Sequence, residues 1–194
     1  MPITTTLNRI RAHGPCEPGW RKLLTGLGKT HADDEPLPFA RIVEINGLDD
    51  ALWCCRVEPQ YAKEWRLFAV WCARQVEHLN PDPRVKAAID TAERHANGDA
   101  TDSELALARD AASGAAWDAL RAHAPAARDA AWAARAAAPN AAWAARAAAR
   151  NAAWGAAWDA AWAAAQDAAW AAARDAAWGA RDAQQKRFLE IVNA

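Results

Sequence analysis

"RNAAWGAAWDAAWAAAQDAAWAAARDAAWGARD", residues 150–182, is the stretch whose reading decides the fold. It is almost entirely alanine and tryptophan with a charge at intervals, and it continues a pattern that starts upstream. Every tryptophan after residue 100 is preceded by Ala-Ala, and before that by Asp, Asn or Gly. Gly114, Asp129, Asn140, Asn151, Gly155, Asp159, Asp167 and Asp175 lead in this way to Trp117, Trp132, Trp143, Trp154, Trp158, Trp162, Trp170 and Trp178. A [DNG]-A-A-W unit so regular is a structural repeat and not a featureless tail.

The spacings between these tryptophans are 15, 11, 11, 4, 4, 8 and 8 residues. On a helix of 3.6 residues per turn, steps of fifteen and eleven return to within about 60° and about 20° of the starting direction. The first four indoles therefore share a face. Each step of four advances the direction by about 40°, so from Trp154 to Trp178 an unbroken helix would swing its indoles through roughly 240°. One neighbour cannot cover that arc. Such a helix is either surrounded by others or broken near Gly155 or Gly179, as Pro125 and Pro139 break the pattern upstream.

Alanine is the strongest helix former and lets helices approach to about 8 Å, but it buries little area by itself. The large groups must supply it. A tryptophan hides roughly 150–250 Å², an upper estimate of about 4–6 kcal/mol each. Trp117, Trp132, Trp143 and Trp162 are accordingly expected in the core with Trp65, Phe68 and Trp71. The indoles that turn away from any neighbour are the candidates for binding, together with the nearby cations: Arg150, Trp154, Trp158, Trp170, Arg174, Trp178 and Arg181. Arg128, Arg150 and Arg174 each precede a tryptophan by four residues, which allows a cation–π pair. Arg, indole and Asp together could also cradle a nucleotide base and its phosphates.

Upstream of about residue 100 the composition is mixed and the apolar spacing helical. In "EPQYAKEWRLFAVWCARQVEHL", Tyr61, Trp65, Phe68, Cys72, Val76 and Leu79 recur at steps of three and four, which predicts a helix of about six turns between Pro59 and "NPDP". Asp82 and Pro83 open the next helix, and Asn97-Gly98 closes it. Thr101 or Asp102 caps a third, with Glu104 placed to complete a capping box. "PGWRKLLTGLG", "EPLPFARIVEING" and "LDDALWCCRVE" predict shorter helices punctuated by Gly and Pro. "FARIVEI" could form a strand, but a lone strand is poorly stable. The expected fold is all-α: a helical bundle or array in which the Ala/Trp half, 101–194, packs on a short-helix half, 1–100, as one folded unit.

Composition narrows the function. With 23 basic and 24 acidic groups the net charge is −1, and twelve tryptophans are incompatible with a disordered chain. Balanced charge argues against duplex nucleic acid as a ligand. "MPITTTLNRIRAHG" has no apolar run of a secretory signal, and no stretch has the length and hydrophobicity of a membrane span, so no membrane partner and a cytoplasmic location are expected.

Cys16, Cys54, Cys55 and Cys72 show no CxxC spacing, and the five histidines no ligand spacing, so neither metal, cofactor nor disulfide framework is expected. Gly26, Gly28, Lys29 and Thr30 mimic the end of a phosphate loop without its first glycine or preceding strand. The adjacent carboxylates Asp33-Asp34 and Asp49-Asp50 point in different directions and suit a loop and a helix start. No catalytic residues are assigned.

Several of these segments carry a resemblance. "RLFA" at 66–69, Cys72-Ala73, Arg84, "AAIDTAERHANG" at 87–98 and the "DSELALARDAA" lead into the repeat resemble the immunity proteins of polymorphic-toxin systems, the type-five-like group of bacteria, phages and prophages. The resemblance covers about residue 60 to the C-terminus. It implies an all-α cytosolic protein that neutralises a protein partner, a toxin or a defence component, without catalysis. Sequestration of a cyclic nucleotide through Trp and Arg, or an oligomeric helical scaffold, stands as the alternative.

Overall fold

A computed structural model of the chain describes residues 1–122, 131, 134–135 and 166–194, and in the last helix the side chains from residue 176 onward. The fold is all-α, and the described residues hold one two-stranded ribbon. The elements are β1 (Thr4–Thr5), α1 (Leu7–Ala12), α2 (Glu17–Gly26), β2 (Leu37–Pro38), α3 (Phe39–Asn46), α4 (Leu48–Cys54), α5 (Ala62–Arg74), α6 (Pro83–Asn97), α7 (Asp102–Arg121) and α8 (Gln166–Asn193). Single 3-10 turns occupy Cys55–Val57, Pro59–Tyr61 and Glu77–Leu79.

The chain divides into two compact units, 1–62 with 185–194, and 63–184. The boundary expected near residue 100 therefore falls inside the second unit. Composition changes there, but α6 and α7, on either side of it, pack together as one helical hairpin. The Ala/Trp repeat between 123 and 165 lies outside the described residues except for Ala131, Ala134 and Arg135.

In the first unit the elements are short because Gly and Pro end each one. Thr6 caps α1, its hydroxyl accepting from the Arg9 amide at 3.2 Å. α2 closes on Gly28, whose φ of 67° lets the Lys29 amide return to the Leu24 carbonyl at 2.9 Å. Gly47, at φ 92°, is the single residue between α3 and α4. "FARIVEI" is helical: Phe39, Ile42 and Val43 are buried at helical spacing, and only Leu37-Pro38, just ahead of it, pairs antiparallel with Thr4-Thr5.

The core is Ile3, Leu7, Ile10, Leu23, Phe39, Ile42, Leu48, Leu52 and Val57 together with Phe188 and Val192 from the end of α8. That end is held by backbone and ring: the Ile3 amide donates to the Val192 carbonyl at 2.7 Å, and the Phe39 and Phe188 rings meet edge to face at 6.3 Å. Glu58 is fully buried and pairs with Arg9 at 2.8 Å.

In the second unit α6 starts where Asp82 accepts from the Arg84 amide at 2.9 Å and stops where Gly98 adopts the left-handed conformation, φ 86°. Thr101 and Glu104 close the capping box of α7: the Thr101 hydroxyl accepts from the Glu104 amide at 3.2 Å, and Glu104 accepts from the Thr101 amide at 2.7 Å. Val85, Ala88, Ile89 and Ala92 of α6 are buried, as are Ala112, Ala115 and Ala116 of α7. Arg84 near the start of α6 bonds Asp118 near the end of α7 at 2.5 Å, so the hairpin is antiparallel. Gly114 gives that guanidinium room; a Cβ there would lie 3.1 Å from Arg84 Nη1.

The six-turn helix expected from Pro59 is shorter. α5 ends at Arg74, and the chain tightens into i→i−3 bonds, Val76 to Ala73 at 3.2 Å and Leu79 to Val76 at 3.1 Å. Arg74 anchors the break by reaching Glu77, Asp90 and Glu93 at 2.9, 2.6 and 2.8 Å. Trp65 and Phe68 are buried as expected, and Trp71 is half-buried with its ring stacked on Phe68 at 6.4 Å.

Candidate functional site

Within the first unit, the ends of four short helices leave a cavity of about 120 Å³. Ile10 comes from α1, Pro15 and Cys16 from the approach to α2, Gly19, Trp20 and Leu23 from α2, Ile42 and Asn46 from α3, and Asp50, Trp53 and Cys54 from α4. For scale, an apolar cavity of ~150 Å³ takes up benzene. The lining is mostly apolar, with the polar groups of Asn46 and Asp50 held close to Gly47.

Local sequence explains that grouping. The one-residue junction at Gly47 brings the last residue of α3 beside the first turn of α4, and the Asn46 amide nitrogen donates to Asp50 Oδ2 at 2.7 Å and to the Gly19 carbonyl at 2.8 Å. Three helices are tied by one side chain. Those two acceptors fix the orientation of the amide, because the reverse would set oxygen against oxygen. Asn46 Oδ1 is thereby left buried with no hydrogen-bond partner, a deficit of about 1–3 kcal/mol.

Gly19 belongs to the same arrangement. Inside a helix it costs roughly 0.5–1 kcal/mol relative to alanine. A Cβ there would come within 2.9 Å of Asp50 Oδ2 and 3.1 Å of Cys16 Sγ, so glycine is what lets the carboxylate approach α2.

The thiol chemistry of the site is subdued. Burial, and after it the negative charge of Asp50, pushes the Cys54 thiol up to about 12, and burial also raises the neighbouring Cys55 well above its usual range. Both stay protonated at neutral pH and are poor nucleophiles. Cys16 is exposed at the cavity. The Arg56 guanidinium lies 4.7 Å from the centroid of the Trp53 ring, its Nε donating to the Trp53 carbonyl at 3.0 Å.

The phosphate-loop mimic is not a phosphate cradle. Lys29 follows a helix instead of a strand, and its ammonium is taken by Asp33 at 2.5 Å and Glu35 at 2.6 Å. Asp49 and Asp50 do begin a helix, as expected. Among the described residues no group of three His, Cys, Asp or Glu side chains could hold a metal ion.

A second feature is on the repeat side. Trp178 is 66% exposed and Trp117 53% exposed. Trp117 was expected in the core, and the reason it is not lies in the phase of α7. The face that α7 buries runs through Ala112, Ala115 and Ala116, and Trp117 is one residue, about 100°, beyond it. Leu107, on the same helix, is 71% exposed.

Arg181, one turn after Trp178, is half-buried, donates to Gln184 Oε1 at 3.1 Å, and slightly offsets the burial that raises the Cys72 thiol to about 12. Trp170 and Arg174 fall in α8, but their side chains lie outside the described residues. So do Arg128, Trp132, Trp143, Arg150, Trp154, Trp158 and Trp162.

Sequence reasoning missed the cavity. Its two indoles, Trp20 and Trp53, precede the repeat and follow no periodic rule. The available signals were a glycine inside the "PGWRKLL" helix and an Asn-Gly between two helical segments with Asp three residues on. No protein-family model matches this chain, and neither a curated protein nor a solved structure matches it.

Proposed function

We propose that this protein is a non-catalytic binding protein of the cytoplasm, an immunity or anti-defence factor that neutralises a protein partner, in keeping with the resemblance carried by 66–98 and the repeat. The observation that supports this reading is the exposure of Trp117 and Trp178, with Trp117 on a helix whose described buried positions are all alanines. Tryptophan is the residue type most enriched among the few that dominate a protein–protein interface, and a rigid helix presents it at little entropic cost. Among the described residues no helix is long and apolar enough to cross a membrane.

Sequestration of a nucleotide signal is the second reading, and the pair that favours it is Trp178 with Arg181, three residues apart on α8. Arg181 is held by Gln184, which makes it the weaker of the two.

Protection is the test. Cells carrying the chain should survive induction of one toxin domain from a panel, with a one-to-one complex in size-exclusion chromatography. Trp117→Ala or Trp178→Ala should abolish protection and complex while leaving helix content and melting temperature unchanged. Protection that survives both substitutions, or a panel with no protected member and a thermal shift from a cyclic nucleotide instead, counts against a protein-neutralising role.

A further inference from the structure

The first-unit cavity has a composition that selects its guest, independently of the exposed tryptophans. Asp50 is the one formally charged residue in its lining, so an anion is disfavoured and a cation favoured. Asp50 Oδ2 accepts from Asn46, while Oδ1 accepts from no donor among the described residues. Asn46 Oδ1 also has no partner, but it is closed off from solvent, so the acceptor open to a guest is the Asp50 carboxylate. The polar side of the site thus offers a carboxylate and calls for a guest that is a cationic donor.

Its remaining lining is apolar and aromatic, with Trp20 and Trp53. A flat, weakly hydrated cation is the kind that leaves water for such a surface, whereas an ammonium is compact and strongly hydrated. Trp53 already takes a guanidinium, that of Arg56, on its ring at 4.7 Å. Arg56 is exposed, so water screens its charge more than that of half-buried Asp50. The cavity, about 120 Å³, suits a planar group smaller than benzene.

We propose that the cavity lined by Trp20, Trp53, Asn46 and Asp50 is a binding site for a guanidinium group, paired with the Asp50 carboxylate and packed against the indoles. The group can arrive on a free small molecule or as an arginine side chain of a peptide. Gly19, by carrying no side chain, keeps the carboxylate end of the cavity open.

Isothermal titration of the full chain tests this with three probes: agmatine, a capped Gly-Arg-Gly peptide, and the same peptide with citrulline in place of arginine. One-to-one saturation is expected with agmatine or the arginine peptide, at least tenfold tighter than with the neutral citrulline peptide. The tighter of the two cationic probes identifies the source. Asp50→Asn keeps an acceptor for Asn46 and should weaken binding at least tenfold without changing the melting temperature. The citrulline comparison needs no variant and decides the matter if Asp50→Asn fails to fold. Equal affinity for arginine and citrulline peptides, no saturation by either cation up to the millimolar range, or undiminished binding by a folded Asp50→Asn overturns the proposal.

Discussion

Replacing Phe188 by alanine should destabilise the first unit by about 3–5 kcal/mol. The side chain is fully buried and comes from the far end of the chain, yet it packs with its ring edge to face against Phe39 at 6.3 Å. Burying a ring of this size removes roughly 150–250 Å² from water, an upper bound of about 4–6 kcal/mol, and the aromatic pair adds about 0.5–1.5 kcal/mol. Alanine keeps only the Cβ and leaves a cavity in the core of the unit. Against a typical domain stability of ~5–15 kcal/mol the loss is a large fraction.

Urea denaturation followed by far-ultraviolet circular dichroism reads the change, and amide exchange localises it. Protection should fall at Ile3 and Phe39, whose amides donate to Val192 and Ile3 carbonyls at 2.7 and 3.1 Å. Phe188→Leu should cost less than about 1.5 kcal/mol. Glu190→Ala, at an exposed position of the same helix end, should cost no more than about 0.5 kcal/mol. A loss below about 1 kcal/mol for Phe188→Ala, or one equal to that of Glu190→Ala, would refute the view that this ring completes the core.

The remaining predictions concern caps and charges. Thr101→Ala removes the hydroxyl that caps α7 and should cost about 1 kcal/mol in urea midpoint analysis, with Thr101→Ser nearly neutral. Arg9→Ala leaves the fully buried Glu58 carboxylate with Gln60 at 2.6 Å but without its guanidinium, and should cost about 2–4 kcal/mol. Arg21→Ala, whose partner Glu17 is exposed, should cost under about 0.5 kcal/mol, and similar losses for the two would refute the burial argument.

Acid should weaken the α6–α7 hairpin. Hydrogen bonds from Arg84 hold the carboxyls of Asp82 and Asp118 below their ordinary range. A carboxyl lowered in the folded state stabilises it at pH values above the unfolded pKa of about 3.9, and that contribution disappears as pH falls through the folded value. The urea midpoint should therefore be flat above about pH 5 and fall progressively toward about pH 2. Asp118→Asn should flatten that fall, and an acid limb identical to wild type would show that this pair is not its source.

By itself the sequence determined where helices begin and end in the mixed half, because those signals are local. Asp82-Pro83, Asn97-Gly98 and the Thr101–Glu104 box act through hydrogen bonds and backbone preferences within a few residues; α6 starts and stops, and α7 starts, where they dictate. Local reasoning failed at Gln75, where the break in the expected long helix depends on Arg74 reaching Asp90 and Glu93 of α6.

Among the described residues, only the tertiary structure decided that Trp117 is exposed while Trp65 is covered. The [DNG]-A-A-W rule sets the same two alanines before each repeat indole, but the burial of Trp117 depends on which face of α7 meets α6, and that face is the alanine one. Nor could periodicity join Phe188 to Phe39, or Trp20 to Trp53 around Asn46 and Asp50. Those meetings follow from chain closure and from the turn at Gly47, and they are carried by packing between elements, which leaves no repeat in the sequence to read.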